Sequence, residues 1–461
     1  MTAYRVLMAL TLCAAPTVPS PAQTFTPLAS FDGSNGSEPY LLSLVQGTDG
    51  MFYGTTRIGG AYGSGTVFKV STSGVVTTLH SFCAKSNCPD GRAPTGSLVL
   101  GTDGNFYGTT EYGGGAKDDG TVFKITSAGE LTTLISFDGT NGAEPVTGLV
   151  QGGSGNFFGT TYGGGASDDG TVFQITPSGT LTTLHSFGYT TDGAFPYGAL
   201  LEASNGNLYG TTYEGGATGY GTLFEIAANG TLNTLYTFDS TDGAYPEGGL
   251  IETTSGKLCG TTYKGGSGGD GAIFDATLAG AVTPVHSFTS NGGSDPVSGV
   301  IQATDGNLYG TTTTTGSGGS GYGTVFRMTA GGTFTTLHTF ADTDGAYVYD
   351  GLVQGTDGSF YGVTEEGGSS NNGTVFKLSV GLGAFVKTMP TSGKAGTAVT
   401  ILGSDLTGAT RVAFNGVMAA FTVNSTGTAI STTVPAAATT GTVKVVTPSG
   451  TLSSNVPFRV P

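Results

Sequence analysis

Thr102-Asp103-Gly104-Asn105-Phe106-Tyr107-Gly108-Thr109-Thr110 is the cleanest copy of a motif that returns along the whole chain. Its Asp-Gly pair is a two-residue hairpin signal, and the aromatic and β-branched residues behind it read as a strand. The Gly-Thr pair, once Gly-Val, recurs at Gly54, Gly108, Gly159, Gly210, Gly260, Gly310 and Gly362, at intervals of 54, 51, 51, 50, 50 and 52 residues. So regular a period means one structural unit per copy.

Around the motif, each unit holds four short strand-like segments; in the third they are residues 148–151, 156–161, 171–175 and 181–187. Turns such as Asp103-Gly104 and Asn205-Gly206 join the first two segments, and turns such as Ser178-Gly179 join the last two. Four antiparallel strands repeated seven times predict an all-β fold, a seven-bladed β-propeller over residues 23–381. Phe25-Thr26-Pro27-Leu28-Ala29-Ser30-Phe31 matches a fourth strand whose companions are missing, and the seventh unit lacks its own fourth strand after Lys377-Leu378. The N-terminal strand is therefore expected to complete the last blade and close the ring, where a solenoid would need caps at both ends. Beyond residue 382 the period stops. Strands expected at 399–402, 411–414, 419–423, 430–434 and 442–447, with Asn415-Gly416 as a hairpin turn, predict an Ig-like β-sandwich over 382–461, without the cysteine pair of antibody domains.

The 83 glycines among 461 residues recur in register with Phe, Val, Leu and Tyr, which marks a turn-dense β protein and not a disordered one. Sixteen basic against 32 acidic residues give a net charge of -16, which repels nucleic acid and anionic membrane surfaces. Residues 1–22 read as an export signal: a basic start ending at Arg5, the apolar run Val6 to Leu12, and small Ser20 and Ala22 before a cleavage site after Ala22. Leu12 before Cys13 argues against lipid attachment, and no segment reaches the roughly 20 apolar residues of a membrane helix, so a soluble secreted or cell-surface protein without membrane insertion is expected. Cys83 and Cys88 share an inserted loop in which an oxidising compartment favours a local disulfide, while Cys259 replaces the motif tyrosine and reads as a small buried apolar residue.

The unit GTDGNFYGTT, followed by GGA, DDGTVFKIT and LTTLHSF, resembles the bacterial GloVer tandem repeat of exported proteins often described as choice-of-anchor, over about residues 25–380. The resemblance implies a propeller-like secreted or surface protein and carries no catalytic residues. PTSGKAGTAVTILGSDLTGATRVAFNG, with VPAAATTGTVKVVTPSG later, resembles an IPT/TIG domain, an Ig-like module found beside adhesion and carbohydrate-related domains. The chain ends at Pro461 without a hydrophobic tail, so a C-terminal anchor is not expected.

Alternating strands put the tight turns on one face and the long loops on the other, which makes the loop face the expected binding surface. Tyr112, Tyr162, Tyr213 and Tyr263, with Asp119, Asp169, Asp270 and Glu365, suit stacking on sugars and accepting hydroxyl hydrogen bonds. The plainer reading of the three aspartates is that they start the turn into the third strand. Acidic loops that also include Asp118, Asp168 and Glu366 offer hard oxygen ligands for Ca²⁺, although no EF-hand or RTX spacing is present and a solvated surface explains them as well. Gln46, Gln151, Glu202, Glu252, Gln302 and Gln354, with Leu100 the exception, share one position at the end of the innermost strand, where they line a central channel or hydrogen-bond the next blade. His80, His185, His286 and His338 repeat one place on the outer strand, spread around the rim, and are read as structural; no metal site and no cofactor are expected from them. The Gly265 to Gly269 run is a chance nucleophile-elbow match, without the strand-to-helix turn that motif needs.

The expectation is a non-enzymatic binding or adhesion protein whose loop face recognises a glycan or an extracellular protein, with no unpaired, perturbed carboxylate in a cleft. The alternatives are a carbohydrate-active hydrolase or lyase using two loop-face carboxylates, and a purely structural envelope protein.

Overall fold

The computed structural model describes residues 23–227, 230–289, 292–315 and 321–461; the expected export signal lies outside them. The described residues form nine four-stranded antiparallel sheets and no helix. Seven sheets come from the repeats. The first contains Val45–Gln46, Phe52–Thr56, Thr66–Val70 and Val76–Ser81, in that order across the sheet. The seventh contains Val353–Gln354, Phe360–Thr364 and Thr374–Ser379, and its fourth place is taken by Thr24–Ser30, paired antiparallel from Thr24↔Ser379 to Ser30↔Thr374.

The packing explains why the motif has its composition. A Cβ on Gly108 would lie 2.7 Å from Phe123 Cζ and from Leu98 Cδ2, so the glycine makes room for the phenylalanine of the third strand. Gly54, Gly159, Gly210, Gly260, Gly310 and Gly362 stand under the equivalent rings. Gly108→Ala is expected to cost about 1–3 kcal/mol by overpacking, read as a lower urea midpoint. The second threonine of the motif faces a threonine of the third strand, hydroxyl to hydroxyl at 2.8 Å for Thr56–Thr66 and Thr110–Thr121; in the fifth sheet Ala272 removes this partner and Thr262 donates to the Lys264 carbonyl. The turn aspartate accepts from the motif tyrosine, as in Tyr107 to Asp103 at 2.8 Å.

The same tyrosine joins one sheet to the next. Tyr53 lies 4.0 Å from Phe106, Tyr107 4.0 Å from Phe157, Tyr309 4.2 Å from Phe360, and Tyr361 of the seventh sheet 4.1 Å from Phe52 of the first. Each sheet shares an apolar core with its successor, and the seventh shares one, with Tyr361, Val363 and Val375, with Phe52, Phe68 and Val70 of the first. Cys259 takes the tyrosine place in the fifth sheet, fully buried. Cys83 and Cys88 form a disulfide in the loop after the first sheet.

The innermost strands are two residues long, shorter than the four residues read from the sequence. Ahead of them the backbones crowd together: a Cβ on Gly248 would meet the Gly299 nitrogen at 2.6 Å, and one on Gly299 the Gly249 carbonyl at 2.3 Å. Glycine permits the approach, and there is no room for a longer ladder.

The remaining two sheets are Val386–Met389, Ala398–Gly403, Ala429–Thr433 and Phe421–Val423, and Val417–Ala419, Arg411–Phe414, Val443–Thr447 and Gly450–Ser453. They share one core that includes Val399, Ile401, Ile430, Phe414 and Val445. The single strand expected at 419–423 is two strands that change sheet at Ala420, because Val417–Ala419 pairs with Arg411–Phe414 and Phe421–Val423 with Ala429–Thr433. This C-terminal unit rests on the tight-turn face. Asn424 Nδ2 donates to the Thr48 carbonyl at 2.9 Å, Thr428 Oγ1 to the same carbonyl at 2.6 Å, and Lys387 Nζ to the Gln354 carbonyl at 2.5 Å.

Candidate functional site

Two rings of positions converge where the long loops meet. The first is the residue after the motif: Arg57, Glu111, Tyr162, Tyr213, Tyr263, Thr313 and Glu365. Each donates its backbone N–H to the carbonyl of the residue before Pro, or before Val348 in the seventh unit, in the adjoining loop, for example Tyr213 to Phe195 at 3.0 Å and Glu365 to Tyr347 at 3.1 Å. Those acceptors, Glu38, Ala93, Glu144, Phe195, Tyr245, Asp295 and Tyr347, all have a left-handed backbone with φ from 49° to 61°. Non-glycine residues rarely adopt it, and its presence in all seven units is an imposed geometry that aims the chain inward. The second ring follows directly: Tyr40, Thr95, Val146, Tyr197, Glu247, Val297 and Tyr349.

Val146, Tyr197, Glu247, Val297 and Tyr349 line a central cavity of about 210 Å³, with Ser43, Ser97, Thr147 and Ser298 deeper in its wall. Around its mouth the Tyr40 ring lies 5.0 Å from Tyr349, and Tyr197 lies 5.8 Å from Tyr162 and 6.0 Å from Tyr213. Burial raises the phenol of Tyr40 to about 12 and that of Tyr197 further.

The carboxyls here are unusual. Burial, with Asp295 nearby, pushes Glu247 up to about 8, and no described residue hydrogen-bonds its carboxyl. Burial and the charges of Glu38 and Glu366 push Glu365 up to about 7. Asp350 is 1 % exposed; its Oδ1 accepts the Leu42 N–H at 2.6 Å, its Oδ2 has no partner, and burial holds its carboxyl well above the usual range. The reason is one substitution within the repeat. In the third and sixth units the corresponding pairs are Thr147–Thr160 at 3.1 Å and Ser298–Thr311 at 2.8 Å, but across from Asp350 the motif carries Val363, which has no hydroxyl to offer. The neighbouring cations are occupied: Arg57 lies 3.5 Å from Glu111 and over the Tyr40 ring, and Lys264 pairs with Asp295 and lies over Tyr263. A binding surface free of unpaired, perturbed carboxylates was the expectation; Glu247 departs from it.

Of the loop-face residues named from the sequence, Tyr162, Tyr213, Tyr263 and Glu365 fall in this central group. Tyr112 stands one position further along its loop, under the Arg92 guanidinium at 4.7 Å. Asp119, Asp169 and Asp270 build seams between sheets: their carbonyls accept the N–H groups of Glu144, Phe195 and Asp295, and Asp169 Oδ2 accepts that of Tyr189. Asp118 and Asp168 close their own loops on the N–H groups of Gly113 and Gly164. Tyr40, Tyr197, Glu247, Tyr349 and Asp350 were not singled out from the sequence. The signal was present, since the place after each X-Pro varies widely inside an otherwise uniform repeat.

Of the two readings of the polar ring on the innermost strands, the described contacts are those of hydrogen bonding between sheets. None of Gln46, Gln151, Glu202, Glu252, Gln302 and Gln354 lines the central cavity. Each instead accepts a backbone N–H from the tight turn of the preceding sheet: Thr356 to Gln46, Thr102 to Gln151, Gly153 to Glu202, Ser204 to Glu252, Thr254 to Gln302 and Thr304 to Gln354. A turn amide at a buried seam needs an acceptor, and this position supplies it. Leu100 breaks the series and belongs to an apolar cluster against which Met389 of the C-terminal unit packs. On the rim, His80, His185 and His338 pair with Asp90, Asp192 and Asp344, and His286 stacks on Phe334.

A family described as the Gloeobacter/Verrucomicrobia repeat matches residues 17–200, 86–274, 189–376 and 252–430. No curated protein matches this chain. Among solved structures, the extracellular domain of a hybrid two-component system from Bacteroides thetaiotaomicron is similar at a TM-score of 0.52 and 10% identity, over 83% of this chain and 46% of that one. A second such domain from the same organism is similar at 0.51 and 12% identity, over 93% and 54%. This chain spans about half the length of these domains. A fungal alcohol oxidase of the AA5 family, solved with copper, is similar at 0.51 and 13% identity, over 95% and 98%. At such identities the likeness is one of fold.

Proposed function

From the premise that this chain belongs to the Gloeobacter/Verrucomicrobia repeat family, we propose that it is an exported seven-bladed β-propeller carrying a C-terminal Ig-like domain of IPT/TIG type, and that the centre of its loop face binds a glycan. Shared cores that run from each sheet to the next and from the seventh back to the first support the ring. The disulfide in the first inter-sheet loop and the likeness to extracellular domains support export. The observation that carries the binding reading is the cluster of Tyr40, Tyr162, Tyr197, Tyr213 and Tyr349 around Glu247 at the cavity mouth. Flat aromatic faces beside hydrogen-bonding carboxyls are what sugar rings require. The cavity is smaller than the roughly 300–1,000 Å³ of a typical small-molecule pocket, so a ligand lies across the mouth and inserts one substituent. The C-terminal unit, on the opposite face, leaves that mouth open.

The test is a glycan array and polysaccharide pull-down with residues 23–461, scored beside Tyr197→Ala. Retention lost at least tenfold in the variant, with its thermal transition kept, supports the central site; equal retention by both moves binding elsewhere. The raised carboxyls of Glu247 and Glu365 favour a second reading, a hydrolase or lyase, because a carboxyl protonated at neutral pH is a ready general acid. Product release in the same tubes, abolished by Glu247→Gln, would establish that reading over simple binding.

A further inference from the structure

The central group holds more carboxyls than its own cations pair with. Arg57 lies beside Glu111 and over Tyr40, and Lys264 pairs with Asp295 and lies over Tyr263, so that Arg57 acts on Glu365 and Lys264 on Glu247 only from a distance, and none of Glu247, Glu365 and Asp350 has an ion pair among the described residues. Glu247 stands in the cavity wall between Tyr197 and Tyr349, and Glu365 acts electrostatically on both Tyr40 and Tyr349. Asp350, buried with Oδ2 unpartnered, adds a further acceptor beneath the same mouth, between the cavity-lining Tyr349 and Gly351. Tyrosine faces around an unsatisfied carboxyl form a cage for an ammonium group, which gains from the ring quadrupoles and from the carboxyl together. A neutral substituent, such as an acetamido or hydroxyl group, supplies no counter-ion to these carboxyls.

We infer that the substituent seated at the cavity mouth is a protonated primary amine, carried by an amino sugar such as glucosamine, with Glu247 as its counter-ion and the Tyr40, Tyr197 and Tyr349 rings as its walls. This rests on the reading of the loop-face centre as a glycan site. It also fits the raised carboxyls as the empty half of an ion pair: buried carboxyls without an ion-pair partner hold their protons, and an ammonium group displaces them.

The experiment is calorimetric titration of residues 23–461 at pH 7 and low salt with three probes: a glucosamine tetramer, its fully N-acetylated counterpart, and spermidine. The glucosamine tetramer is expected to bind at least tenfold more tightly than the acetylated one. Glu247→Gln should remove most of that difference, and Glu365→Gln part of it, each variant being checked for an unchanged thermal transition. Equal or tighter binding of the acetylated tetramer overturns the amine and leaves the glycan reading in place. Binding of spermidine with neither sugar upholds the ammonium cage and overturns the glycan reading. Silence with all three probes, or glucosamine binding that Glu247→Gln and Glu365→Gln both leave untouched, overturns the inference.

Discussion

A chain that begins at Phe31, without Thr24–Ser30, is expected to lose its cooperative unfolding transition or to keep it only at a sharply lower temperature. That strand forms six register pairs with Thr374–Ser379. Phe25 stacks on His338 at 3.6 Å and packs against Phe340 and Phe376, while Leu28 packs against the core shared by the seventh and first sheets. Its backbone also closes against the next sheet, because a Cβ on Gly74 would meet the Leu28 carbonyl at 2.2 Å. Burying two such half-buried apolar side chains is worth about 1–3 kcal/mol each, and the ladder hydrogen bonds add about 1 kcal/mol apiece. The sum is comparable with the whole stability of a typical domain, about 5–15 kcal/mol. Removal also bares Thr374–Ser379 as an unpaired edge, so aggregation should accompany the loss. Calorimetry of the shortened chain, alone and with a synthetic peptide of residues 23–31, checks this. An unshifted transition without the peptide would mean that the seventh sheet does not depend on the strand; recovery with it would show that the strand is the missing part.

Stability is expected to fall as pH rises from about 5 to 8, the reverse of the behaviour of a protein held by ionised carboxylates. Asp350 is held protonated well above its ordinary range, Glu365 up to about 7 and Glu247 up to about 8. Unfolded, these groups ionise near pH 4. Between there and their folded values the native state holds more protons than the unfolded one, so their contribution is fully present at low pH and is lost as pH rises through the folded values. After allowance for solvent screening at the partly open mouth, the fall is of the order of 3 kcal/mol. Two histidines work in the other direction: burial lowers His286 and His338, which adds a smaller rise in stability as pH climbs toward 6.5. Lys387, lowered to about 8 by burial, acts only above that pH. Carboxylates held low, such as Asp90 with His80 and Asp357 with Lys377, contribute stability that disappears only below about pH 4. Urea midpoints from pH 4.5 to 8.5 measure the slope. Asp350→Asn should flatten part of it and Val363→Thr, which restores a hydroxyl opposite Asp350, should reduce it. A midpoint that rises steadily through pH 8 would mean that these carboxyls are ionised in the fold.

Much of the architecture is legible because the repeat is nearly periodic. Gly108, Thr110, Tyr107 and Asp103 belong to a motif that recurs in every unit with few substitutions, so its spacing alone predicts the strands, the turns and the open place that Thr24–Ser30 occupies. The site is less legible for the opposite reason. Tyr162, Tyr213, Tyr263 and Glu365 stand next to the motif and could be singled out. Tyr40, Tyr197, Glu247 and Tyr349 come from inter-sheet loops that look like linkers. The six Gln and Glu residues of the inner strand left two readings open, because a ring of polar side chains has the same appearance in one dimension whether it faces a channel or a neighbouring turn.

Local pattern was therefore sufficient for strand order and hairpin turns, while the threonine pairs and the tyrosine contact between sheets emerged from the folded chain. What depended on the folded chain is whatever joins residues of different units around the centre. The left-handed residue directly before each Pro, or before Val348, precedes the second ring, and the absence of a hydroxyl at Val363 leaves Asp350 Oδ2 unsatisfied. Met389 of the C-terminal unit packs on the cluster that holds Leu100, where the series has no glutamine. Proximity of that kind arises only when seven loops separated by about fifty residues are brought to one axis, and burial there, not residue type, sets the charge of the carboxyls.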